Sequence, residues 1–271
     1  MNDVEKYKGI KKYWDNRAQK HGRSAQATTN DYYMREIEIR CLTNAISEFS
    51  KRKEKFTVAD IGCGNGYSTI KLAKKYPEAQ FNGFDYSENM ISFAKEIQDQ
   101  EVIPNVAFHV LDITKDPIPE KYDFVFTDRC LINLPSYALQ ISAIESIYNA
   151  LNDNGTFVLI ENFIDGHNSF NKLRKEFGLK EINIREHNFF FDKNKLEPFL
   201  DSLFKSIEFI NISSQYYIGS RIIYSKICAG EKIEPDYFDV HHKIASKLPF
   251  IGNFGPIGMY SLRGKCNESG E

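Results

Sequence analysis

Apolar and polar positions along this chain change rhythm twice. Residues 4–20 carry Ile10, Tyr13, Trp14 and Arg17 at helical spacing, residues 32–50 repeat the pattern, and the polar "RSAQATTND" between them is a loop. From Phe56 short apolar runs alternate with amphipathic segments: "FTVADIG", "AQFNGFD", "NVAFHVLDI", "YDFVFTD" and "GTFVLIEN" as strands, with "YSTIKLAKKY", "SENMISFAKEIQ" and "SYALQISAIESIYNALN" as helices between them. Such alternation predicts parallel β-α-β units with right-handed crossovers and helices on both faces, a doubly wound, Rossmann-like α/β fold.

Beyond Asn162 the alternation loosens. "SFNKLRKEFG" and "NKLEPFLDSLF" read as helices, "SIEFINIS" as a sixth strand and "GPIGMYSLRGK" as a seventh, giving a mostly parallel seven-stranded sheet. Residues 214–254 then form an insertion between the last two strands, with the aromatic "QYYIGSRIIY" and a helix around 236–248. Long insertions of this kind are usually functional covers. The competing assignment makes "SRIIYSKI" the seventh strand and the remainder a tail. Either way a single domain over 1–271 is expected, with a helical cap over 1–52, a ligand-binding core over 53–165 and a C-terminal half over 166–271.

Composition narrows the function. With 271 residues, 42% hydrophobic and 27% charged, the chain suits one well-packed soluble domain. A formal charge of −2 argues against nucleic acid as the main partner, because phosphate binding needs a dense basic face. Lys6, Lys8, Lys11 and Lys12 are diluted by Asp3, Glu5 and Asp15 and read as a solvated helix face. The five cysteines lack C-x-x-C spacing, as reduced cytoplasmic thiols would. No signal-like stretch or membrane span is present, and no metal site is expected, since His241 and His242 lack a third ligand at suitable spacing. Oligomeric state is not legible.

The stretch "ADIGCGNGYS" (59–68) is the most informative. A dinucleotide loop would read G-x-G-x-x-G/A, its last small residue letting the helix pack close to the strand. Gly62 and Gly64 fit, but Tyr67 occupies that last position and the third glycine is Gly66. Asp60 stands two residues ahead of Gly62, and the loop has no Lys or Arg. An acid at the buried end of a strand needs a partner. The ligand is therefore expected to lack phosphates and to carry a positive charge, conditions that S-adenosylmethionine meets.

At this point the chain resembles the class I S-adenosylmethionine-dependent methyltransferases, whose first motif is an acid followed by G-x-G-x-G. The resemblance extends over about residues 56–162. It implies that Asp60 and the loop glycines hold the cofactor and that Asp85 in "GFDYSENMI" binds both ribose hydroxyls, with Tyr86 and Met90 alongside. It also implies that Asp112 accepts from the adenine amino group, that Ile113 lies against the ring, and that Asp128 ends the fourth strand at the site. In this family the N-terminal helix often closes over the methionine end, which puts Tyr13 and Arg17 forward as contacts to the cofactor carboxylate. S-adenosylhomocysteine would be the product. "RCLINLPSYALQ", "NKLRKEFGL", "HNFFFD" and "GSRIIYSKICAGE" look similar to a subgroup of bacterial surface-polysaccharide enzymes. That likeness implies a small-molecule acceptor methylated on oxygen: a sugar, nucleotide-sugar or phosphorylated metabolite.

Methyl transfer from a sulfonium is an in-line displacement with an activated leaving group, so positioning carries much of the catalysis. A base is needed only for a poorly acidic hydroxyl or a protonated amine. "TDRCLINLP" replaces the "[DN]PP[YF]" of amine and nucleobase methyltransferases. Arg129 is a candidate bidentate donor to an acceptor anion, or else an ion-pair partner of Asp128 or a helix acid. His187 is the candidate base and Asn188 a hydroxyl ligand, while Tyr216, Tyr217 and Arg221 line the acceptor site if the insertion is a lid. A non-catalytic cofactor-binding subunit and a small-molecule N-methyltransferase are the alternatives.

Overall fold

The computed structural model describes residues 2–266. Two helices open the chain, α1 (Asp3–His21) and α2 (Tyr32–Ser50). Each begins on a side-chain cap: Asn2 Oδ1 accepts from Glu5 N and Asp31 Oδ1 from Met34 N, satisfying first-turn donors that have no helical partner. The core then alternates β1 (Thr57–Ile61), α3 (Tyr67–Lys75), β2 (Gln80–Asp85), α4 (Glu88–Glu101), β3 (Val106–Val110), β4 (Tyr122–Asp128), α5 (Tyr137–Ala150) and β5 (Leu151–Asn162). It continues with α6 (Ile164–Glu176), α7 (Lys193–Leu203) and β6 (Phe204–Asn211), and closes on β7 (Ile257–Lys265).

The seven strands make one sheet in the order β3-β2-β1-β4-β5-β7-β6. β1 to β5 pair in parallel, whereas β7 is antiparallel to both β5 and β6. Both faces are covered, so central strands bury successive residues on opposite sides, as parallel sheets do. Val58, Phe124 and Phe126 face the layer that contains Ile37, Leu42 and Ile70, while Ala59, Ile61 and Val125 face Ile144, Ile147 and Leu196. The chain order reverses between β1 and β4, and the carboxyl ends of those strands open on a crevice, the usual ligand position in such sheets.

Residues 214–254 stand between β6 and β7 and are largely helical: α8 (Ser214–Tyr217), a π-helical stretch (Ile218–Ile223), α9 (Tyr224–Glu231) and α10 (Val240–Ala245). "SRIIYSKI" is thus helical, not a strand. Its buried residues Ser220, Ile222 and Tyr224 fall at alternate positions, which is why the stretch also reads as a strand in sequence, yet it continues α8 as one helical run into α9. Among the described residues no helix is long and apolar enough to cross a membrane.

Candidate active site

The turn after β1 is built on close backbone approach. Gly62 N and Cys63 N both donate to Phe84 O, at 2.7 and 3.0 Å. Gly62 has φ +83°, and a Cβ there would lie 2.2 Å from Cys130 Sγ. Gly66, at φ +74°, is the N-cap of α3, and a Cβ on it would lie 2.6 Å from the Phe108 ring of β3. The close helix-to-sheet contact expected of a small residue is thus made one position earlier than in a dinucleotide loop. Tyr67 is left free to lie under Arg35, whose guanidinium is 5.1 Å from its ring centroid.

A cleft opens over this turn, lined by Asp60, Gly62, Gly64, Asp85, Tyr86, Met90, Ile113, Asp128 and Arg129 among others. Asp60 accepts from Thr69 Oγ1 at 2.5 Å, and burial pushes its carboxyl up to about 8. Asp85 accepts from Gly64 N and Ser87 N, both at 2.9 Å, while burial raises it to about 6. The Tyr86 hydroxyl and Asp128 Oδ1 are buried with no hydrogen-bond partner. Buried acids and orphaned polar atoms with no phosphate-binding cation in the glycine turn suit a ligand that brings a positive charge and hydroxyls. The residues therefore fit S-adenosylmethionine.

Several expected contacts fall elsewhere. Asp112 is not at the cleft: it accepts from Tyr7 Oη at 2.9 Å, from Lys11 Nζ at 2.5 Å and from Thr114 Oγ1 at 2.7 Å. Burial acts to raise its carboxyl, but Lys11, Thr114 and Tyr7 hold it down at about 2. With its oxygens taken by α1 and Thr114, this end of the cleft is walled by the apolar Phe84, Leu111 and Ile113. Tyr13 is also outside the cleft, stacked on His187 at 4.0 Å, and its neighbour Trp14 lines it instead, donating to Asn133 Oδ1 at 3.1 Å.

Arg17 turns away to tie the loop before α2, donating to Ala27 O and Gln26 O and, at 3.2 Å, to Asn30 Oδ1. A cation that does line the cleft is Arg35, buried on α2 and bonded to Thr28 Oγ1 and Ala25 O, with Thr28 also lining it. Sequence reasoning missed Arg35. The signal was available: Arg35 and Glu38 are charges three residues apart on a helical face otherwise made of Met34, Ile37, Cys41 and Leu42, and charges on an apolar face are there to be paired or used.

Arg129 adopts φ +52° directly after β4. Its guanidinium forms a two-point pair with Glu38, Nε to Oε1 at 2.8 Å and Nη2 to Oε2 at 3.0 Å, with Asp128 Oδ1 at 3.9 Å from Nε. Of the two sequence-based roles, the ion pair with a helix acid is therefore realised. Burial pushes Glu38 up, opposed by Arg129. Burial acts to lower Arg129, but Glu38 and Asp128 raise it, so the guanidinium stays charged.

Arg129 and Thr28 line a second cleft as well, of about 430 Å³. This one is walled by Arg129, Arg174, Arg185 and Arg221, with Asp31 the only carboxylate among its described lining residues. Asn188 and Tyr217 line it, and burial holds the Tyr217 phenol up at about 12. Arg221 does so while paired with Asp31 at 2.5 Å. Asn162 Oδ1, at the end of β5, is buried there without a hydrogen-bond partner.

Tyr216 does not line it. Its ring is buried and its hydroxyl is engaged by Asp31 and by His242 Nδ1 at 2.9 Å, because the i, i+1 neighbours of a helix face different ways. His187 lines neither cleft. Its ring stacks on Tyr13 and meets Trp14 of α1 edge-on, and burial, with Arg185 and Arg17 nearby, lowers it to about 4. That geometry occupies His187 in packing against α1, away from the lining of either cleft.

The sequence profile of a family described as "Methyltransferase domain" matches residues 52–201. The chain belongs to this family, as a class I S-adenosylmethionine-dependent member whose cleft fits that cofactor. The malonyl-(acyl-carrier protein) O-methyltransferase of Bacillus cytotoxicus is 29% identical over 166 residues, 59% of this chain and 55% of that protein. Its counterpart in Bacillus cereus is 26% identical over 163 residues, 57% and 56% of the two chains. The chain thus spans about half the length of the curated relatives it matches. These names give no support to the surface-polysaccharide subgroup. The crystal structure of coclaurine N-methyltransferase bound to N-methylheliamine and S-adenosylhomocysteine shares the fold over 97% of this chain and 87% of that one, with a TM-score of 0.55 at 11% identity. The plantazolicin methyltransferase BpumL, solved with a desmethylplantazolicin analogue and S-adenosylhomocysteine, does so over 95% and 90%, with a TM-score of 0.54 at 16% identity.

Proposed function

We propose that the protein methylates a carboxylate oxygen of a small or thioester-borne acid, using S-adenosylmethionine and releasing S-adenosylhomocysteine. The observation that carries this reading is the second cleft: four arginines face one carboxylate, and the cleft meets the cofactor cleft at Thr28 and Arg129. Arginine forks favour planar, bidentate anions. The two relatives named above are O-methyltransferases of a malonyl thioester, which agrees with an acidic acceptor.

Bound, the cofactor supplies an electrophilic methyl on a sulfonium. Asp60 balances the ammonium, Asp85 grips the ribose, and Arg35 with Thr28 takes the methionyl carboxylate. Across the junction Arg185 and Arg221 draw the acceptor acid in, and Asn162 Oδ1 is free to orient a donor group on it. A carboxylate, with a pKa of about 4, is already ionised at neutral pH and needs no base. The position of His187, packed against α1 and outside both clefts, is in keeping with that.

The test is mass spectrometry after incubation with S-adenosylmethionine and three acceptor sets: malonyl thioesters of coenzyme A and of acyl-carrier protein, free dicarboxylic acids, and sugar phosphates. Gain of one methyl by an acid, as an ester cleaved by mild base, is the expected result. Methylation of the sugar phosphates alone overturns the carboxylate assignment. Tight cofactor binding with no transfer to any set favours a binding subunit instead.

A further inference from the structure

The insertion between β6 and β7 carries an apolar surface that methyl transfer does not explain. Val240 and Ile244 lie one turn apart on α10 and are 56% and 59% exposed, and the chain that follows exposes Leu248, Ile251 at 60%, and Phe254. This surface is held on a fixed base. The opposite side of α10 buries His242 and Ala245, with Ala245 packed against Gly219 of the π-helical stretch. Arg40 donates to Ser246 O at 3.0 Å, Ser214 Oγ to Gly252 O at 2.7 Å, and Phe254 N to Ser214 Oγ at 2.9 Å. The apolar side chains are thus presented outward and not left over from a loose loop.

Charge says what they are presented to. From Val240 to Phe254 the only formally charged side chains are Lys243 and Lys247, both exposed and interleaved with the apolar positions. The acids of the insertion, Glu231, Glu234, Asp236 and Asp239, all precede Val240. Protein–protein interface cores are depleted in lysine, whereas elements that lie in a bilayer interface combine exposed apolar side chains with lysines that reach lipid headgroups.

We propose that residues 240–254 dock the protein on an anionic lipid surface, with Val240, Ile244, Leu248, Ile251 and Phe254 entering the headgroup boundary and Lys243 and Lys247 meeting the phosphates. The segment lies beside the second cleft, to which His242 and Tyr237 contribute, so docking turns that cleft's cover toward the membrane. This rests on no assumption about the acceptor.

Co-sedimentation of the full chain with phosphatidylcholine vesicles, with and without phosphatidylglycerol, tests it, alongside sedimentation velocity without lipid. The expected result is binding to the anionic vesicles, weaker binding to neutral ones, and loss with added salt. The double variant Ile244→Ser/Ile251→Ser and the double variant Lys243→Glu/Lys247→Glu should each reduce the bound fraction about tenfold or more. Both alter exposed side chains, and unchanged thermal unfolding and cofactor affinity certify their folds. No binding to either vesicle, binding that both variants retain, or a dimer that Ile244→Ser dissociates overturns the proposal; the last would make the patch a contact between copies.

Discussion

The two clefts meet at Thr28 and Arg129 yet are built from opposite charge. The cofactor cleft offers Asp60, Asp85 and Asp128 beside two cations, Arg35 and Arg129, neither of them supplied by the glycine turn itself. The second cleft offers four arginines against Asp31. The first is assembled mainly at the carboxyl ends of β1 to β4, with Trp14, Thr28 and Arg35 added by the N-terminal helices and their loop. The second draws on the loop before α2, β5, α6, residues 182–190 and the insertion. The difference teaches that the cofactor cleft is written largely at the ends of parallel strands, while the cleft proposed for the acceptor is made of segments brought together only by folding.

Asp60 carries the largest expected effect. Burial raises its folded pKa to about 8, against an ordinary value of about 3.9. The empty folded protein therefore keeps a proton that the unfolded chain has released. That stabilises the fold fully below about pH 4 and is lost as pH rises through about 8. Cofactor affinity should run the other way, because the ammonium needs the carboxylate: affinity should rise up to about tenfold per unit between pH 6 and 8, with proton release seen by calorimetry in buffers of differing ionisation heat. A pH-independent affinity in that range removes Asp60 from the ammonium site.

Asp85→Ala should cost roughly 30- to 100-fold in cofactor affinity, the loss of two charge-assisted hydrogen bonds, and leave the acceptor KM nearly unchanged. Arg185→Ala should do the reverse, raising the KM for an acidic acceptor about tenfold with cofactor affinity intact. If either variant moves both quantities equally, the division of labour between the clefts fails. The smallest effect is expected from His187→Ala: kcat unchanged, and about 1 kcal/mol lost in urea unfolding from the broken stack on Tyr13 and Trp14.

Most of the fold was legible because alternating strands and amphipathic helices announce a parallel sheet, and because "GPIGMYSLRGK" alternates strongly enough to be placed as the last strand. The cofactor end was legible where a motif and its geometry coincide: Asp60, Asp85 and the glycines are within a few residues of the turns that aim them. It was illegible where a helix could rotate. On α1 the cleft receives Trp14 and not Tyr13, and Arg17 serves the loop while Arg35 of α2 reaches the cleft. Asp112 stands at the expected strand end, yet Lys11 and Tyr7 arrive from 101 and 105 residues away to occupy it.

The sequence by itself determined the order of elements, the identity of the phosphate-free glycine turn and the acids at the ends of β1, β2 and β4, since periodicity and turn chemistry act over a few residues. Only the tertiary structure decided that Glu38 would claim Arg129, that His187 would pack against α1, and that four arginines from separate segments would share one cavity. Ion pairs and cavities depend on distances between residues far apart in the chain, and those distances exist only once the sheet and its covering helices have packed.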